Sequence, residues 1–185
     1  MNDAGFGTLL FDLLTPAEAA IDERTAELRF DIALLGRRMT GAVDWLSNEP
    51  ETAALPVGLF GASTGAAAAL LAAAARREAV AAVVSRGGRP DLAGAALGRL
   101  RAPVLLIAGG NDRAVIELNR QALAELPANA ELQIVPGATH LFEEPGALES
   151  VVQLAAAWFG RSLQRVGGSS RTRASLPRED ARRGR

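Results

Sequence analysis

Cysteine is absent from the 185 residues, and with it disulfides, a thiolate nucleophile and zinc-finger ligation. Lysine is absent too. All 20 basic residues are arginine, which together with the abundance of alanine points to a GC-rich bacterial genome rather than a functional demand. There is one histidine, so any chemistry that needs an imidazole has a single candidate. No apolar run approaches the ~20 residues of a membrane-crossing helix. No positively charged, then apolar leader opens the chain. The expectation is a cytoplasmic protein with no membrane partner.

A net charge of −1 hides an uneven distribution. Residues 1–160 carry 12 Arg against 19 acidic residues, a net of −7; residues 161–185 carry 8 Arg against 2, a net of +6. An acidic body argues against nucleic acid as a partner. With 49% apolar residues, the chain can bury one sizeable core. The expected organisation is a folded core over residues 1–163 and an Arg-rich tail over 164–185. Gly167-Gly168-Ser169-Ser170 and the scarcity of apolar residues predict disorder in that tail.

Five short segments rich in Val, Leu and Ile read as strands, at residues 7–13, 57–62, 80–85, 103–108 and 131–135. Helical patterns fall at roughly 30–47, 64–77, 114–125 and 145–163, and Thr15-Pro16-Ala17-Glu18 reads as a capping box opening a short helix. Ile32, Leu35, Met39, Val43 and Leu46 make one apolar stripe at helical spacing. Alternation of strands and helices predicts an α/β fold with a mostly parallel, doubly wound sheet.

The segment Val57–Ala66 carries the chemistry. An apolar strand runs directly into Gly61-Ala62-Ser63-Thr64-Gly65, and an alanine-rich helix follows. This strand–turn–helix setting is that of a nucleophile elbow, with Ser63 exposed at the end of the strand. The N–H of Thr64, just after it, is a candidate oxyanion donor. A serine hydroxyl needs a base within reach. His140, in the loop after strand 131–135, is the candidate, because imidazole accepts and returns protons near neutrality. Asp112, in the loop after strand 103–108, is the acid that would orient it. The order Ser63, Asp112, His140 is that of an α/β-hydrolase triad. Each residue also has a plainer role available. Gly-x-Ser-x-Gly is common, a lone histidine is often structural, and Asp112 or Asn111 suits the cap of the next helix.

Residues 5–163 resemble dienelactone hydrolase-like members of the α/β-hydrolase superfamily. The resemblance lies in GFGTLLFDLLT, VGLFGASTGAAAAL, VVSRGGRPDLA, APVLLIAGGNDRAVIELNRQAL and ELQIVPGATHLFEEPGALESV. It implies Ser63 as nucleophile, His140 as base and Asp112 as its partner. Bacterial relatives of this subgroup also occur fused to a phosphoribosyltransferase domain. Dienelactone hydrolases proper use cysteine where this chain has Ser63, so a general small ester or lactone is the expected substrate. The superfamily also has further strands before the one matching Gly7–Asp12. The last of them lies between the strands matching Gly7–Asp12 and Val57–Ala62, and its loop supplies a second oxyanion donor. The expectation is therefore an α/β-hydrolase fold lacking its first strands, with irregular pairing of Gly7–Asp12. Loss of one donor costs on the order of 10²–10³ in turnover.

Arg86 and Arg89, in Ser85-Arg86-Gly87-Gly88-Arg89-Pro90-Asp91, are candidates for contact with a substrate carboxylate; the alternative is a glycine-rich turn with solvated arginines. Glu143-Glu144 reads as charged surface before the last helix. No metal and no cofactor are called for. Two functional readings stand: a serine hydrolase of small esters or lactones, and a weak or inactive hydrolase-fold module derived from a longer chain. A phosphate-binding loop at Gly61–Gly65 is disfavoured, since neither Gly-x-Gly-x-x-Gly nor a Lys-Ser/Thr pair is present.

Overall fold

The computed structural model describes residues 1–170, with side chains described through residue 163. Four parallel strands form one sheet in the order β1 (Val57–Ala62), β2 (Val80–Arg86), β3 (Val104–Gly109) and β4 (Glu131–Val135). Helices α1 (Pro16–Thr25) and α2 (Ile32–Asn48) precede β1, α3 (Thr64–Ala75) joins β1 to β2, and α4 (Arg113–Glu125) joins β3 to β4. Two 3₁₀ turns within Pro90–Arg99, kinked at Gly94, join β2 to β3. Helix α5 (Ala147–Ser170) closes the fold and runs past the expected end at residue 163. The disorder expected for the rest of the tail falls on residues 171–185, which lie outside the described residues.

The strands are apolar on both faces because both are covered. Leu59, Val83, Val104 and Leu106 pack with α2, α3 and the end of α4; Ala82, Val84, Leu105 and Ile107 pack with Val151, Ala155, Trp158 and Phe159 of α5. β3 is buried at every residue, which places it at the centre of the sheet. The stripe of α2 buries Leu35, Met39 and Val43 against α3, whose run of alanines lets the two helices and the sheet approach closely.

The capping box of α1 is formed. Thr15 Oγ1 accepts from the Glu18 N–H at 3.3 Å, and Glu18 Oε2 accepts from the Thr15 N–H at 2.8 Å. Arg38 of α2 grips the same carboxylate with two nitrogens, at 2.6 and 2.7 Å, and donates to the Leu13 carbonyl at 2.6 Å. The Arg38 guanidinium, aided by Thr15, holds the Glu18 carboxyl down to about 2. Thr15→Ala is expected to cost about 1 kcal/mol of stability, read by thermal denaturation; an unchanged midpoint would mean that Arg38 alone fixes this corner.

The strand expected at 7–13 does not form. Gly7–Asp12 makes no backbone hydrogen bond to the sheet, and Leu9, Leu10 and Phe11 are exposed. The residues are apolar enough for a strand, but an extended segment without ladder partners gains nothing from that conformation. β1 is consequently an edge. The Ser63 N–H donates to the Arg86 carbonyl, so by alternation along a parallel strand the N–H and C=O groups of Gly58, Phe60 and Ala62 face the open side. Phe60 is itself 45% exposed. Open apolar edges template association between chains, and charge on the edge suppresses it. Phe60→Lys should reduce concentration-dependent aggregation, read by light scattering, while leaving stability within about 0.5 kcal/mol. Aggregation that is unchanged would place the sticky surface elsewhere.

Candidate active site

The C-terminal ends of β1, β2, β3 and β4 deliver Ser63, Arg86, Asp112 and His140 to one edge of the sheet, as the parallel register requires. Ser63 has φ 51° and ψ −122°, a strained conformation for a residue with a side chain. The strain is imposed from both sides. The Ser63 N–H donates to the Arg86 carbonyl at 3.1 Å, and the Ser63 carbonyl accepts from Ala66 at 3.1 Å and from Arg89 at 3.2 Å. The elbow also needs glycine at position 61, where a Cβ would fall on the Gly65 carbonyl and 2.6 Å from the Ala66 Cα. Although Ser63 is the N-cap of α3, its hydroxyl makes no capping hydrogen bond. That leaves the oxygen available to a substrate.

His140 Nδ1 lies 2.8 Å from Asp112 Oδ2. The other carboxylate oxygen, Oδ1, accepts from the Val115 N–H at 3.3 Å and caps α4. One oxygen of Asp112 thus caps the helix while the other faces the imidazole. Asn111 does not cap the helix; its Nδ2 donates to the Gly137 carbonyl at 2.7 Å and its N–H to the Ala138 carbonyl at 2.9 Å, tying the Asp112 loop to the His140 loop. The Asp112 side chain is 16% exposed and that of His140 40%, so the imidazole is reachable from solvent. With Nδ1 facing Asp112, Nε2 points away from the carboxylate. No hydrogen bond joins the Ser63 hydroxyl to the ring.

Three further residues shape the site and carry only faint signals in the sequence. Gly87 has φ +51°, and a Cβ there would sit 3.1 Å from the His140 carbonyl and 3.7 Å from its Cε1; the Gly87-Gly88 pair was the visible hint. Glu144, read as solvated surface, is half-buried, and its Oε1 accepts from the Thr139 N–H at 3.1 Å. The bond to Thr139 holds the Glu144 carboxyl below the usual range. Phe142 is fully buried with φ 59°, anchoring the loop that carries His140.

Arg89 and Arg86 flank Ser63 through their backbones. The Arg89 guanidinium grips Asp91, with Nε at 2.9 Å from Oδ1 and Nη2 at 2.7 Å from Oδ2. The Arg86 side chain turns to the His140 loop, where Nη1 donates to the Leu141 carbonyl at 3.3 Å. The Thr64 N–H opens α3 directly behind Ser63.

The chain is similar to proteins of known family. A dienelactone hydrolase from Anabaena variabilis, solved by crystallography, is 59% identical, with a TM-score of 0.79 over 82% of this chain and 70% of that one. A dienelactone hydrolase-like promiscuous phosphotriesterase from metagenomic libraries shares the fold at 22% identity, with a TM-score of 0.69 over 86% of this chain and 76% of that one. A Mycobacterium tuberculosis protein that carries the provisional name phosphoribosyl transferase is 60% identical over 159 residues, 86% of this chain. The chain spans only 35% of that relative's length. The dienelactone hydrolase family matches residues 4–164. Fold, sheet-edge site and sequence agree, and the chain belongs to the dienelactone hydrolase family of α/β hydrolases.

Proposed function

We propose that this chain hydrolyses small carboxylic esters or lactones through an acyl-enzyme on Ser63. The observation that carries the reading is the His140 Nδ1–Asp112 Oδ2 contact of 2.8 Å at the same sheet edge as a strained serine with a free hydroxyl. In the first step Ser63 Oγ bonds to the substrate carbonyl carbon, and its proton passes to His140 Nε2. Asp112 steadies the imidazolium that results. The Thr64 N–H, at the positive end of α3, faces the oxyanion. The C–O bond to the leaving alkoxide then breaks and the alkoxide takes the proton from His140. Water repeats the sequence in the second half: His140 accepts its proton, hydroxide adds to the acyl carbon, and Ser63 departs with the proton.

Only the short 3₁₀ connection Pro90–Arg99 lies between β2 and β3, so the site is open and suits a small substrate. Arg89 would have to release Asp91 to meet a substrate carboxylate, and Arg86 has one nitrogen committed to Leu141. Uncharged esters and lactones are therefore the primary substrate class, and carboxylated ones the secondary. A weak or inactive module is the competing reading. It is favoured by the missing hydrogen bond between Ser63 and His140 and by the open edge of β1.

Asp112→Asn separates the hydrolase reading from a purely structural role for Asp112. Asparagine caps a helix as well as aspartate does, so stability should hold. It cannot fix the imidazole in the productive tautomer, so turnover of a p-nitrophenyl acetate-type ester should fall on the order of 10⁴-fold. Equal activity in the two proteins would remove Asp112 from the mechanism.

A further inference from the structure

The loop that carries His140 is held from a strand with which it shares no local sequence. Arg86, the last residue of β2, reaches 55 positions along the chain to donate from Nη1 to the Leu141 carbonyl at 3.3 Å. Its guanidinium carbon lies 5.5 Å from the centroid of the Phe142 ring, within the range of a cation–π contact. Leu141 and Phe142 directly follow His140. Two local penalties meet at this contact. The Arg86 Nε is buried with no acceptor, and Phe142 holds a left-handed φ of 59° that a bulky side chain avoids. Features of this kind persist where the surroundings over-determine them, and they gather at functional sites.

We propose that Arg86 is a positioning residue: through the Leu141 carbonyl and the Phe142 ring it fixes the backbone that orients the His140 imidazole. Asp112 holds the ring at Nδ1, while Glu144 holds Thr139 and Arg86 holds Leu141, on either side of His140. Two anchors on the backbone and one on the ring define where Nε2 points. A lysine in place of Arg86 keeps the charge but lacks the planar face and the fork of donors that serve ring and carbonyl together. This inference rests on His140 acting as the base, and it gives Arg86 a different role from substrate contact.

The test uses Arg86→Met, Arg86→Lys and Arg86→Ala with two independent readouts. Kinetics on a short-chain p-nitrophenyl ester should show kcat falling about 100-fold in Arg86→Met, the scale of an ångström-level misplacement, with KM unchanged. Arg86→Lys should fall between, and added guanidinium ion should partly restore Arg86→Ala. Because the chain has one histidine, the imidazole resonances of His140 can be followed without ambiguity. Arg86→Met should shift or double those resonances and move their titration midpoint, in protein whose melting curve shows that it is folded. The spectrum does not require turnover, so an inactive wild-type protein would sink the hydrolase reading while leaving this one decidable. His140 resonances and titration unchanged in both Arg86→Met and Arg86→Lys would overturn the proposal. So would a rise in KM with kcat intact, which would make Arg86 a substrate ligand. If Arg86→Met does not fold, Arg86→Lys and the guanidinium experiment decide.

Discussion

Ser63→Ala is expected to bring ester turnover down by as much as about 10⁶-fold, the cost of deleting the nucleophile of a triad that works as a unit. The loss should fall in kcat, since a missing hydroxyl leaves the binding surface nearly intact. Stability should not follow. The hydroxyl caps nothing, and Ser63 is held by its backbone bonds to Arg86, Ala66 and Arg89. Alanine is no worse suited than serine to the φ of 51°. A folded Ser63→Ala protein with full activity would mean that the strained turn serves packing alone.

The second large effect is structural. At Gly61 a Cβ would collide with the Gly65 carbonyl and stand 2.6 Å from the Ala66 Cα, and backbone atoms of a helix start cannot swing aside. Gly61→Ala should cost about 1–3 kcal/mol or more, a fall of roughly 2–12 °C in Tm for a domain of this size. The same substitution should cut activity in whatever fraction remains folded, because the clash pushes α3 and the Thr64 N–H away from β1. Gly160→Ala is the matched control. A Cβ at Gly160 meets nothing within 4 Å inside α5, and alanine there should stabilise by up to about 1 kcal/mol. Equal melting temperatures for Gly61→Ala and the parent would show that the elbow can relax, and that its tightness is not what exposes Ser63.

The sequence made the centre of the fold legible and its margins less so. β1 to β4 announce themselves as apolar runs bounded by Gly and Pro, and each candidate catalytic residue follows one of them. Gly7–Asp12 carries the same local signal, yet whether such a segment becomes a strand depends on a neighbour, which is not a local property. Helix α5 passes through Gly167-Gly168-Ser169-Ser170, where the scarcity of apolar residues predicts disorder, because propensity is a weak prior over a single turn. Asp112 could be read as a cap or as the partner of His140, and sequence could not choose: one oxygen caps α4 and the other contacts His140 Nδ1. The contact of Arg86 with Leu141 spans 55 residues and has no local signature in the sequence; the expected contact with a substrate carboxylate rests on an arginine placed just after a strand. Glu144 looked like surface because its acceptor role toward Thr139 depends on how the loop folds back.

Covalent trapping tests the central claim most directly. A fluorophosphonate reacts with a serine whose proton can be taken by a base, and the adduct marks that serine by mass. Cleavage after arginine places Ser63 in the peptide spanning residues 39–76, together with Ser47. Fragment ions that break the chain between Gly61 and Gly65 distinguish the two. The account predicts one adduct, on Ser63, absent from Ser63→Ala and strongly reduced in His140→Ala. An adduct on Ser47 or any other residue, or labelling of Ser63 that is undiminished in His140→Ala, would contradict it.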